Sequence, residues 1–576
     1  MLFLEIPLTY RSSYLPAGQR ILNQNQFLRL DTTPLERFLY WEDHTPNATF
    51  LRQPIHDTWH VFTYRDAGRE VRRLAAMLQQ LLPVRSHVAI LSKNCAHWLI
   101  ADLAIMLSGN VSVPIYPTLS AGGIHDVLAH SEARLIILGK LDNFNLQKGG
   151  IPEDLPRISF PFYGTTEGRQ WDDLPDASEF IEQPLPTPED VATIMYSSGT
   201  TGTPKGVVIT HGAFGFVGER VAKHLAITKP NRFFSYLPLS HIAERALMEM
   251  VAIHTGSTIS FSESLEKFQE NIQHEKPTIF GGVPRIYTKF QEGILKKLPQ
   301  KKLDSLLRIP FVGSVVKKTI RKKLGFTDAR IIVSGAAPSP VSQLEWFKRI
   351  GIEISEMYGM TENTAFSHSN YGITKPGTVG RAWPENEVKL SEDGEILVRS
   401  RALMKGYFKD DETTRTVFTA DGFLRTGDSG EIDAEGFLTI TGRVRDQFKT
   451  DKGKFIAPAP IEKIILSNTD IEQVCVVGMG LPQPVALINL SATGQNRSRI
   501  EVINSLESTL KKLNPTLEFY ERIEKIVVMK ETWSIENGLL TPSLKLKRAE
   551  LEKRYLAEFK AWYSHPETVV WEEEVV

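Results

Sequence analysis

Apolar residues recur along this chain in two rhythms, short unbroken runs and runs spaced three or four apart. The first reads as buried strand and the second as helix. From Thr63 to Leu78 the spacing predicts a helix behind a Thr63 N-cap. His87-Val-Ala-Ile-Leu91 predicts a strand, a helix follows through Trp98 and Leu107, and Val111-Ser-Val-Pro-Ile115 predicts a second strand. Another helix–strand pair ends at Arg134-Leu-Ile-Ile-Leu138. Residues 1 to about 60 show no clear period and read as irregular. Strands alternating with helices imply parallel β–α units with both sheet faces covered.

Further on, Val191 to Met195 and Val207 to Thr210 flank a polar loop, giving strand, loop, strand. Strands are predicted from Asn231, near Ser257 to Ile259, near Thr278 to Gly281 and from Ala329 to Ser334, with a helix from about Ala243. A basic helical region spans Lys296 to Lys323. From Gly377 to Ile440 short strands alternate with Gly and Asp turns, the texture of a β-rich subdomain. A charged, glycine-punctuated stretch around Arg445 then precedes a new alternation after Pro460. The predicted fold class is α/β. A large N-terminal domain (1–442) holds two helix-covered sheets and the β-rich part, 443–446 form a hinge, and 447–576 form a small α+β domain.

Bulk properties narrow the function. A chain of 576 residues exceeds one core, so two to four domains are expected. The net charge of -1 gives no global reason to expect a nucleic-acid partner. The two cysteines, Cys95 and Cys475, are far apart and fit neither a zinc cluster nor a disulfide framework, as in a reducing compartment. Glu5 and Pro7 interrupt the apolar start too early for a signal peptide, and no run approaches the roughly 20 residues that cross a bilayer. A cytoplasmic protein is expected. Between Lys296 and Lys323, ten Lys or Arg residues face one acid, Asp304, with Leu303, Leu306, Leu307, Ile309 and Phe311 interleaved. That pattern suits peripheral contact with anionic lipid; a solvated helical face is the alternative.

The densest chemistry lies in the loop after Val191–Met195. Ser197, Ser198, Thr200, Thr201 and Thr203 carry hydroxyls, Gly199, Gly202 and Gly206 expose backbone, and Lys205 supplies positive charge. Such a loop suits a polyphosphate. It is not a Walker loop, because Gly206 follows Lys205 and no helix pattern starts there. The stretch Tyr196 to His211 resembles the phosphate loop of the adenylate-forming superfamily of acyl-CoA synthetases, luciferases and peptide-synthetase adenylation domains. Four more stretches resemble that superfamily in its usual order: Tyr236 to Arg245, Ser334 to Pro338 with Glu356 to Glu362, Gly422 to Gly430, and Gly538 to Arg548.

The resemblance implies a role for each. Ser197 to Thr203 and Lys205 would hold ATP phosphates, and His241 would line the acyl-carboxylate end. Gly335, Ala336, Ala337, Tyr358, Gly359 and Met360 would pack adenine. Thr361 would donate to a phosphate, and Glu362 would ligate Mg²⁺. Asp428 would accept from the ribose diol, and Arg443 would help hold the nucleotide. Arg445 stands at the hinge, where relatives carry Asp or Lys, and Gly453 would let the CoA arm approach. Lys545 is the implied catalytic lysine, with Lys547 a rival on spacing. Residues 449–462 and 538–548 resemble the long-chain branch. The implied reaction joins a medium- to very-long-chain fatty acid to ATP as an acyl adenylate, then to CoA, with a mobile C-terminal lid turning between the steps. An acyl-AMP ligase serving a carrier protein, or an inactive binding relative, would share the fold.

Overall fold

A computed structural model describes residues 32–197, 205–228, 231–541 and 545–574. Two large sheets organise the N-terminal part. In the first, Val191–Ser197, Val111–Ile115, His87–Leu91, Leu135–Leu138 and Arg157–Ser159 lie side by side in that order and parallel. Val191–Ser197 also pairs antiparallel with Lys205–Thr210. The second sheet, of nine strands, is parallel through Thr258–Phe261, Arg232–Ser235, Ile279–Gly282, Ile331–Ser334 and Ser355–Tyr358. In the first sheet, His87–Leu91, Val111–Ile115 and Leu135–Leu138 are nearly unbroken apolar runs, as burial on both sheet faces requires.

The helix Tyr64–Leu81 starts at a capping box, Thr63 accepting from Asp66 N while the Asp66 carboxylate accepts from Thr63 N. Ala96–Leu107 is buried along its whole length, which explains its apolar run. The stretch before residue 60 departs from expectation. Thr33 and Glu36 form a capping box for the helix Pro34–His44, and Thr49–Ile55 and Thr58–Thr63 form a hairpin on the second sheet. The signal was Thr-Pro-Leu-Glu, too short to register as periodicity. The helix expected from Ala243 is also altered: Ala243–Met250 is a π-helix that becomes an α-helix at Val251–Thr255.

The β-rich part is an antiparallel sheet of Glu387–Leu390, Glu395–Arg399, Leu424–Ile432 and Leu438–Arg443. A smaller mixed sheet of Ile471–Val477, Val485–Leu490, Lys525–Val528 and Val569–Trp571 follows, with helices Pro458–Ile465 and Arg499–Leu513. The whole is a mixed α/β protein with a large N-terminal and a small C-terminal part. Among the described residues, no helix is long and apolar enough to cross a membrane.

Candidate active site

Parallel strands expose their carboxyl ends at one edge, where ligands bind in open α/β sheets. Ile331–Ser334 ends there in Gly335-Ala336-Ala337, and Ser355–Tyr358 ends in Gly359-Met360. Gly359 is required by close approach, since a Cβ there would lie 2.5 Å from the Ala365 carbonyl carbon. Thr361–Asn363 then forms a tight turn, held by Met360 N donating to Asn363 Oδ1 at 2.9 Å. Thr364 and Ala365 follow at φ 51° and 57°, consecutive left-handed residues without glycine. Strain of this kind persists only where surrounding packing fixes it.

Two contact chains converge beside this turn. The Tyr358 hydroxyl donates to Asp428 Oδ2 at 2.6 Å, and Arg443 Nε lies 3.3 Å from Asp428 Oδ1. Asp428 and Arg443 are register partners on adjacent strands, which sets that ion pair. The Tyr407 hydroxyl donates to Glu362 Oε1 at 2.9 Å, and Lys205 Nζ sits 5.3 Å above the Tyr407 ring. Tyr407 escaped the sequence reading. It belongs to a two-residue strand, Gly406–Tyr407, and only its pairing with Lys205–Thr210 brings it to the site.

From the C-terminal part comes Lys545. Thr541 N donates to Lys545 O at 2.8 Å, and Lys547 N donates to Leu539 O at 2.9 Å, which pins Lys545 beside Leu539–Thr541. Lys545 keeps contact with solvent. Even so, the protein crowded round its ammonium lowers its pKa, helped by Arg443 and opposed by Asp428 and Glu362. Burial likewise raises Asp428, against the pull of Arg443 and the Tyr358 hydrogen bond. Burial also raises Glu362. His241 is pushed down to about 3, first by burial and then by Lys545. Its imidazole is therefore neutral, and Nδ1 accepts from Ala243 N at 3.2 Å, which leaves the proton on Nε2.

Thus Lys205, Tyr358, Glu362, Asp428, Arg443, His241 and Lys545 gather from segments far apart in sequence. Gly335, Ala336, Ala337 and Met360 flank them, and Thr361 opens the turn that carries Glu362. Ser198, Gly199, Thr200, Thr201, Gly202 and Thr203 lie outside the described residues, while Ser197 ends its strand opposite Lys205. Arg445 falls in the short turn Val444–Asp446. Gly453 sits at φ 72° with nothing within 4 Å of a Cβ built there. Arg548, three residues past Lys545, donates to Glu462 Oε1 and to Val476 O, each at 2.5 Å, and lies 3.7 Å from Asp446.

A family model described as AMP-binding enzyme matches residues 38–408, and one described as AMP-binding enzyme C-terminal domain matches 445–567. The chain belongs to the AMP-binding enzyme family. This AMP-binding enzyme is 30% identical to long-chain-fatty-acid–CoA ligase 5 of Rattus norvegicus, over 83% of this chain and 80% of that one. It is 28% identical to the long-chain-fatty-acid–CoA ligase FadD15 of Mycobacterium bovis, over 91% and 96%. Its fold is that of the anthranilate CoA ligase AuaEII in complex with anthranoyl-AMP (TM-score 0.74, 21% identity, 92% and 99% covered). The A domain of a carboxylic acid reductase from Segniliparus rugosus, in complex with AMP, shares it as well (TM-score 0.75, 18% identity, 94% and 95% covered).

Proposed function

We propose that this enzyme is an AMP-forming ligase that activates a long-chain fatty acid with ATP and passes the acyl group to CoA. The observation that carries the reading is the meeting of Asp428, Tyr358 and Arg443 with Glu362, Tyr407 and Lys545. The relatives named for long-chain fatty acids support the substrate class.

In the first step a carboxylate oxygen bonds to the α-phosphorus of ATP, and the bond to pyrophosphate breaks. Asp428 accepts from the ribose hydroxyls, as an acceptor-only group suits a vicinal diol. Arg443 and Tyr358 hold that carboxylate in place. Lys545 and Thr361 meet charge growing on the phosphate oxygens, and Lys205 with the loop before it holds the leaving phosphates. His241, neutral with its proton on Nε2, offers a hydrogen bond without competing for charge. In the second step the CoA sulfur bonds to the acyl carbon and AMP leaves. Gly453 and the turn at Arg445 serve this step, after the domain beyond 446 has turned as a lid.

Glu362 fits a Mg²⁺ role. It is a buried carboxylate with one oxygen taken by Tyr407, and no cluster of three or more His, Cys, Asp or Glu completes a cage among the described residues. Mg²⁺ commonly takes one or two carboxylates and lets substrate phosphates supply further ligands. Bound there, it would offset phosphate charge.

The test is ATP–pyrophosphate exchange and CoA-dependent AMP release across acids from acetate to very long chains. Each added methylene should favour binding by about 0.8 kcal/mol until the acyl site is filled. A preference for acetate or an aromatic acid would sink the long-chain reading, and AMP release only with a carrier protein would favour the carrier-loading alternative.

A further inference from the structure

The basic segment starts in the last turn of the helix Pro284–Lys297 and continues as two helices, Gln300–Arg308 and Val312–Lys323, meeting at a corner. Their inner faces belong to the core. Leu303 and Ile320 are buried, and Leu307 and Val316 pack against the same cluster. Part of the apolar pattern in the sequence is therefore structural. The corner itself is not. Ile309, Phe311, Val312 and Val315 are 48%, 89%, 39% and 64% exposed. Phe311 also has φ 64°, a left-handed conformation that is costly for a bulky side chain. A strained backbone thus holds a phenyl ring in water, and nothing in the core gains from it.

Charge surrounds this apolar corner. Ten cations and one acid give the segment +9 within a chain of net charge -1. The acid, Asp304, is engaged by Arg349 at 2.5 Å and by Gln300. Arg321 donates to three backbone carbonyls. Among the described residues, none of the ten cations forms an ion pair, and Lys301, Lys302, Arg308, Lys318, Lys322 and Lys323 are exposed. A solvated face balanced by neighbouring acids is therefore not what the fold provides.

We propose that this corner docks on an anionic lipid bilayer, with Phe311 and its apolar neighbours entering the headgroup–acyl boundary and the cations pairing with lipid phosphates. Interfacial binding combines these two contributions, buried apolar surface and attraction to anionic headgroups. A second copy of the chain is disfavoured, since an isologous contact would press like-charged faces together. The docking stands on these observations alone. Its use, admitting fatty acid from the bilayer, rests on the reading of function above. The helices concerned pack on the cluster that also takes in Tyr236, five residues before His241.

Co-sedimentation of the full chain with phosphatidylcholine vesicles, with and without phosphatidylglycerol, tests this at about 0.1 M salt. Binding should require the anionic lipid. It should weaken at least about tenfold in Phe311→Ser and in the quadruple variant Lys317→Gln/Lys318→Gln/Lys322→Gln/Lys323→Gln. Thermal melting and exchange with a soluble acid should stay unchanged. Should the quadruple variant fail to fold, Phe311→Trp serves instead, and its emission should be quenched by brominated acyl chains. Equal binding to neutral vesicles, binding indifferent to both variants, or no quenching would overturn the proposal. So would loss of a lipid-free dimer in Phe311→Ser, which would assign the corner to self-association. Failure to activate any fatty acid would leave the vesicle result standing and count only against the function.

Discussion

At the scale of single residues, the proposed chemistry concentrates on Lys545. It comes within electrostatic reach of His241, Glu362, Asp428 and Arg443, whereas Lys547 leads into the helix Arg548–Tyr555. Lys545→Ala should lower acyl-adenylate formation by on the order of a hundredfold or more, while supplied acyl adenylate and CoA still give thioester. Single-turnover assays of each half-reaction check this; equal loss of both steps would refute the assignment. The lowered pKa adds a signature. In the proposed mechanism the ammonium is the working form, so adenylation should fall as pH rises through a value below the ordinary 10.5. Lys545→Arg, which does not titrate there, should lose that alkaline limb.

Among the elements, the π-helix Ala243–Met250 is the most consequential. It carries Arg245, wholly buried, which donates to Asp102 at 2.5 Å, Thr193 at 2.9 Å and Ser112 at 3.0 Å, tying this helix to the helix Ala96–Leu107 and to two strands of the first sheet. Its first turn holds Glu244, whose carboxylate accepts from Tyr236 N at 3.2 Å and which burial pushes up to about 8. The folded protein thus keeps a proton that the unfolded chain releases above about 4.5. Stability should fall as pH climbs from there to about 8, by at most about 1.4 kcal/mol per unit from this group, then level off. Glu244→Gln should flatten that slope. Urea midpoints at acid, neutral and mildly alkaline pH measure it, and parallel curves for the two proteins would exclude the effect.

For the whole molecule, two polar contacts help to join the large and small parts. Arg285 Nη2 meets Glu472 Oε1 at 2.5 Å with both side chains partly exposed, and Lys463 Nζ donates to Gly377 O at 3.2 Å. Exposed ion pairs contribute about 0–1 kcal/mol, which suits the proposed lid motion. Arg285→Glu should leave the melting temperature within a degree or two yet slow adenylation more than thioester formation. A variant that melts early, or slows both steps alike, would show the contact to be structural rather than poised.

Sequence alone determined the strand–helix alternation, because burial on both sheet faces forces continuous apolar runs, as at His87–Leu91 and Val111–Ile115. It also determined the motif positions, because Gly359 and its neighbours are fixed by contacts close along the chain. What tertiary structure decided depends on pairings between distant segments. Tyr407 joins the site through a two-residue strand that leaves no period to read. The neutrality of His241 comes from burial, and the lowered pKa of Lys545 from protein crowded round its ammonium; no local pattern encodes either. The basic segment shows the division most sharply. Its composition was legible, but only folding sorted Leu303 into the core and left Phe311 in water, since exposure belongs to surfaces and not to residues.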